Sequence, residues 1–130
     1  MIFVDTNYFL RFLRNDIPEQ AVMAKKLFLD AAAGKETLLT STVVFFEIYW
    51  VIWKFYHTKK NEILKPLQEI LEMNFIVIEE RRILTQALEV FGRTGLDFED
   101  CYNLAFSMER NAKEFKTFDK KIMRYLKALK

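Results

Sequence analysis

The chain is expected to form a three-layer α/β/α domain spanning residues 1–130, with a central parallel sheet of four or five short strands. Three observations predict it. Short β-branched and aromatic runs alternate with longer stretches of helical periodicity, the pattern of parallel strands joined by helical crossovers. Only three Gly and two Pro occur in 130 residues, too few for the turn-rich loops of an all-β fold. Hydrophobic residues make up 52% of the chain, with thirteen Phe, five Tyr and two Trp, which supplies a core of single-domain size and argues against disorder.

Ile2 to Val4 reads as the first strand, ending at Asp5, and Tyr8 to Leu13 as a short helix. Asp16 is placed to cap the next helix, with Pro18 in its first turn and Glu19 as capping-box partner. Ala21, Ala24, Leu27, Phe28 and Ala31 form that helix's apolar face, and Gly34 stops it. Thr37 to Thr40 is the second strand. Ser41 caps a helix from Thr42 to about Tyr56, and a further helix from about Thr58 to Met73 should kink or break at Pro66. Phe75 to Ile78 is the third strand, followed by a helix through Phe91 that ends at Gly92. A helix from Asp97 to Asn111 carries Phe98, Cys101, Ala105 and Met108 on its apolar stripe. Phe115 to Phe118 reads as a fourth strand and Lys120 to Leu129 as a terminal helix.

Several function classes are excluded by composition. One cysteine, Cys101, rules out an internal disulfide and a cysteine-rich zinc site, and one histidine, His57, rules out a multi-histidine metal centre. No glycine-rich phosphate loop is present. The stretch Leu38 to Trp53 is short for a membrane span and holds Glu47, and Asp5 interrupts any apolar leader. A cytoplasmic protein without membrane partners is therefore expected. A net charge of +2 does not by itself announce a nucleic-acid partner, although Lys113 to Lys130 and Lys54 to Lys60 are locally basic.

Four carboxylates stand in separate, largely apolar stretches: Asp5 in IFVD, Glu47 in VVFFEIYWVIW, Asp100 in LDFEDCYNLAF and Asp119 after FKTF. Carboxylates are seldom buried unless paired or bound to metal. Asp5 and Asp119 follow strands, where parallel sheets gather ligands, yet each is equally suited to cap the helix behind it. Glu47 is expected to point into a polar pocket, because its helical neighbours Val43, Val44, Trp50 and Val51 are all apolar. Asp97 and Asp100, three apart at a helix start, project on one side, and either could be the cap. Taken together they suggest a shared acidic site for Mg²⁺ or Mn²⁺, hard cations that take carboxylate and water oxygens.

These segments, IFVDTNYFLRFL, STVVFFEIYWVI, GLDFEDCYNLAFSME and FKTFDKKI, resemble PIN-domain ribonucleases, in particular the small VapC-type toxins of toxin–antitoxin pairs. The resemblance implies that Asp5, Glu47, Asp100 and Asp119 bind divalent metal. It makes Thr6, Asn7 and Thr117 supporting polar positions, and Asp97 a further acid often present. It also implies a homodimer and a small cognate antitoxin; Tyr8, Phe9 and Phe12 read either as part of that surface or as core, core for at least half of them. Many members continue into a further short strand, where this chain reads as the basic helix YLKALK.

The expected function is metal-dependent endoribonuclease cleavage of RNA, with Arg11, Arg14, Lys54 and Lys116 as candidate phosphate contacts. Two other readings fit the same residues: a housekeeping nuclease of RNA processing, and a non-catalytic binding module whose acids only cap helices.

Overall fold

Two units make up the fold, residues 1–80 and residues 81–130. The computed structural model describes residues 1–54 and 59–130. The expected end of the third helix near Tyr56, the start of the fourth near Thr58, and His57 lie outside the described residues.

The first unit runs β1 (Ile2–Phe3), α1 (Thr6–Arg14), α2 (Pro18–Ala32), β2 (Leu38–Thr40), α3 (Thr42–Lys54), α4 (Lys60–Leu71) and β3 (Ile76–Ile78). The strands form a parallel sheet in the order β1-β2-β3, with Ile2 beside Leu38 and Leu38 beside Ile76. Parallel neighbours require crossovers, which the helix pairs α1–α2 and α3–α4 provide. Side chains alternate across the pleat, so Leu38, Thr40, Ile76 and Ile78 are buried while Val77, between the last two, is exposed. Thr40 is buried at no polar cost, because its hydroxyl donates to the Val4 carbonyl at 2.8 Å. That bond ties the end of β2 to the end of β1, immediately before Asp5.

The helical stripes place the core as expected, with one correction at the start of α2 and one inside α4. Ala21, Ala24, Phe28 and Ala31 of α2 are buried, and Phe28 meets Phe9 and Phe12 of α1 at ring distances of 5.5 and 4.9 Å. Phe9 is therefore core, not surface for a partner, while Tyr8 and Phe12 are half-buried. Asp16 does not cap α2. Ile17 holds that position without a side-chain bond, and Asp16 lies 3.5 Å from Arg11. Pro18 at the helix start lacks an N–H, so there is less for a cap to satisfy. Gly34 ends α2 as expected, with the left-handed φ of +82° that favours glycine. Ser41 caps α3, accepting from the Val44 N–H at 3.2 Å. The helix α4 runs unbroken through Pro66, whose flanking residues Ile63, Leu67 and Ile70 are all buried. Packing on both sides of the proline holds together what propensity alone would break.

The second unit is helical: α5 (Arg81–Arg93), α6 (Phe98–Glu109) and α7 (Lys120–Ala128). The amphipathic α5 buries Ile83, Leu84, Ala87, Leu88, Val90 and Phe91. It packs on α6, where Phe98 meets Phe91 edge-on at 5.7 Å. Phe98, Cys101 and Ala105 are buried as predicted and Leu104 joins them, but Met108 is 64% exposed.

The expected sheet of four or five strands is corrected to three among the described residues. Residues 115–118 keep the alternation of a strand, with Phe115 and Thr117 half-buried between exposed Lys116 and Phe118, yet they join no ladder. A strand exists by pairing its backbone groups with a neighbour, and the second unit contains no other strand. Among the described residues, no helix is long and apolar enough to cross a membrane.

Candidate active site

Three of the predicted acids meet in the second unit. Asp97, Asp100 and Asp119 line one pocket of about 330 Å³ together with Gly95, Leu96, Lys120, Lys121 and Arg124. The local chain explains each placement. Asp97 occupies the cap position of α6, but its carboxylate makes no capping bond. Asp100 follows one turn later, where the helix dipole favours a negative charge. Asp119 caps α7, accepting from the Ile122 N–H at 3.0 Å, while its own N–H donates to Thr117 Oγ1 at 3.0 Å. Capping and ligation were competing readings of Asp119. They are compatible, since the cap uses one carboxylate oxygen and leaves the other.

Crowding leaves an electrostatic mark on Asp100. Burial raises its pKa above the ordinary carboxylate value, and the charges of Asp97 and then Asp119 raise it further. Like charges gathered in a cleft with a perturbed acid are characteristic of functional sites, although structural networks can produce the same shift.

Asp5 and Glu47 belong to the first unit. Asp5 follows β1 and caps α1, accepting from the Thr6 N–H at 2.7 Å. Thr6 is 7% exposed, and its hydroxyl oxygen is buried without a hydrogen-bond partner. A stranded hydroxyl costs roughly 1–3 kcal/mol, a cost that a purely structural position would shed. Thr6→Val, similar in shape and without the oxygen, is expected to raise unfolding stability by about 1 kcal/mol. Chemical denaturation checks the sign. Loss of stability would show that the hydroxyl is satisfied after all. Asn7 is exposed and lines a separate cavity of about 250 Å³ with Tyr8, Arg11, Gln20 and Met23.

Glu47 departs from expectation. It is exposed on α3, on the side that carries Val43 and Trp50, while Val44, Phe45, Ile48, Tyr49 and Ile52 are buried. An apolar sequence around a charge therefore did not mean burial, because the apolar residues beside it are themselves on the surface.

The cations named from sequence are largely engaged. Arg11 donates to Gln20 at 2.7 Å and faces Asp16, Lys116 pairs with Glu114 at 2.9 Å, and Lys54 sits 4.4 Å over the Trp50 ring. Arg14 is exposed in the last turn of α1. Lys120, Lys121 and Arg124, which do line the acidic cleft, were absorbed in the sequence into a generally basic C-terminal stretch. Their spacing on one side of α7 was the available signal.

Within the cleft, Asp97, Asp100 and Asp119 offer carboxylate oxygens, the donor type a hard divalent cation takes, beside Lys120, Lys121 and Arg124. Among the described residues, no group of three or more His, Cys, Asp or Glu side chains is arranged to hold a metal ion.

No curated protein matches the chain. The profile of the PIN domain family matches residues 2–127, nearly its whole length. The chain belongs to the PIN domain family, whose members are generally nucleases.

Proposed function

We propose that this protein is a metal-dependent endoribonuclease, acting in the cytoplasm as the toxin of a toxin–antitoxin pair. The observation that carries this reading is the cleft of Asp97, Asp100 and Asp119 in a chain of a nuclease family. Residues 1–130 are taken as one catalytic domain. Asp5, Glu47, Asp100 and Asp119 are assigned to holding Mg²⁺ or Mn²⁺, with Asp97 beside them. When bound, the cation supplies a water acidic enough to attack at neutral pH and positive charge for the phosphate oxygens.

The chain's own residues do the rest. The capping bonds of Asp5 and Asp119 fix their carboxylates relative to α1 and α7. The Thr117 hydroxyl holds the turn that leads into Asp119. Asp100, whose proton is held more tightly than usual, must lose it before it can ligate.

Cleavage of single-stranded RNA is expected in Mg²⁺ or Mn²⁺ and not in chelator, with Asp5→Asn lowering the rate by about 100-fold or more. Equal cleavage by wild type and Asp5→Asn would sink the assignment. The toxin role, with its homodimer and small antitoxin, rests on the resemblance of the four acidic segments to VapC-type toxins. Growth arrest on expression alone, relieved by a neighbouring small reading frame, tests it. Harmless expression of an active nuclease would instead indicate RNA processing.

A further inference from the structure

We propose that Lys120, Lys121 and Arg124 of α7 bind the phosphodiester backbone of the substrate strand, next to the carboxylates of the same cleft. The inference rests on the nuclease reading and names the residues that hold its substrate.

Three observations carry it. First, all three cations line the pocket that Asp97, Asp100 and Asp119 line. Positions i, i+1 and i+4 share a side of a helix, and Ile122, which faces away from that side, is the buried residue of α7. Second, cations beside carboxylates normally pair with them, yet among the described residues none of the three forms an ion pair with Asp97, Asp100 or Asp119. Their donors stay open toward the cleft, in contrast to Arg11, Lys54 and Lys116, which are engaged elsewhere. Third, the two charge types suit the two parts of one substrate. Carboxylates attract a cation and repel phosphate, so a polyanion can enter only where positive groups offset them. A nucleic-acid backbone carries a charge at every step and meets a row of cations as no single small anion would.

The test is fluorescence anisotropy with a labelled single-stranded RNA of mixed sequence in chelator, where no cleavage is expected and a gel checks that the strand is intact. For single strands, each lost phosphate contact lowers the salt slope by about 0.7. Lys120→Gln/Lys121→Gln/Arg124→Gln should therefore reduce the slope by about 2, so that the affinity lost between about 50 and 200 mM salt shrinks roughly 15- to 20-fold. Lys120→Arg/Lys121→Arg/Arg124→Lys, which keeps every charge, should retain the wild-type slope. Circular dichroism confirms folding, and Lys121→Gln alone, with a drop of about 0.7, serves if the triple variant does not fold. A wild-type slope in the neutralised variants overturns the proposal, as does wild-type protein that binds no RNA. RNA binding that depends on these residues without any cleavage would remove the nuclease reading and leave this surface standing.

Discussion

Asp100→Asn is expected to lower RNA cleavage by about 100-fold or more and, at neutral pH, to raise thermal stability. The two effects have one origin. Burial and the charges of Asp97 and Asp119 raise the pKa of Asp100 in the folded protein. Between its unfolded and folded pKa values the native state holds more protons than the unfolded one, so stability falls as pH rises through that window. Above it, the ionised carboxylate keeps destabilising the fold. Asparagine carries no charge to repel, so the variant's advantage should be full at neutral pH. It should shrink as pH drops and vanish below the ordinary Asp value of about 3.9, where both the folded and the unfolded wild type are protonated. The same charge is what a divalent cation would use. Mn²⁺ should stabilise the wild type by an amount that grows with concentration, about 2.7 kcal/mol at one hundred times the dissociation constant, and should stabilise the variant less. Calorimetric melts over pH, with and without Mn²⁺, read all of this. A wild type more stable than Asp100→Asn at neutral pH would mean that Asp100 is satisfied by its surroundings and not held in reserve for a ligand.

The placement of the candidate acids was legible in the sequence only in part. Asp97, Asp100 and Asp119 were legible because each sits at a helix start fixed by local rules, the i, i+3 spacing of the first two and the cap geometry of the third. Their gathering in one pocket follows from elements that are close in sequence. Glu47 is exposed despite its apolar neighbours in sequence, because α3 keeps only one face in the core and leaves Val43 67% exposed. The cations of α7 were passed over because a run of lysines is usually a solvated face. In the structure Lys120, Lys121 and Arg124 line the same pocket as Asp97 and Asp100, which the run alone does not indicate.

The fold divides in a similar way. Helices were predicted well because the 3.6-residue period is a local property, and the buried rows of α2, α5 and α6 follow it closely. Residues 115–118 alternate like a strand, but a strand depends on a partner elsewhere in the chain, and no local pattern can supply that information. The continuity of α4 through Pro66 is the converse case, in which tertiary packing outweighs a strong local signal.

Phe98→Ala should be the most destabilising single truncation in the second unit, costing about 3–5 kcal/mol. Phe98 is fully buried and meets the Phe91 ring edge-on at 5.7 Å, so it joins α6 to α5 across their packed faces. Removing the ring loses its transfer free energy and leaves a cavity that the surrounding side chains can refill only in part. The loss is large against the 5–15 kcal/mol by which small domains are typically stable. Phe98 also stands between Asp97 and Asp100, so the first turn of α6 that carries both carboxylates depends on it. Phe98→Ala should therefore lower the denaturant midpoint and cleavage together, whereas Met108→Ala, at a 64% exposed position on the same helix, should stay within about 0.5 kcal/mol of wild type. Phe98→Leu, which retains more of the volume, should fall between them. If Phe98→Ala and Met108→Ala proved equally mild, the α5–α6 core would not be what holds Asp97 and Asp100 in place. If Phe98→Ala lost cleavage without losing stability, the ring would serve the site directly and not through the packing described here.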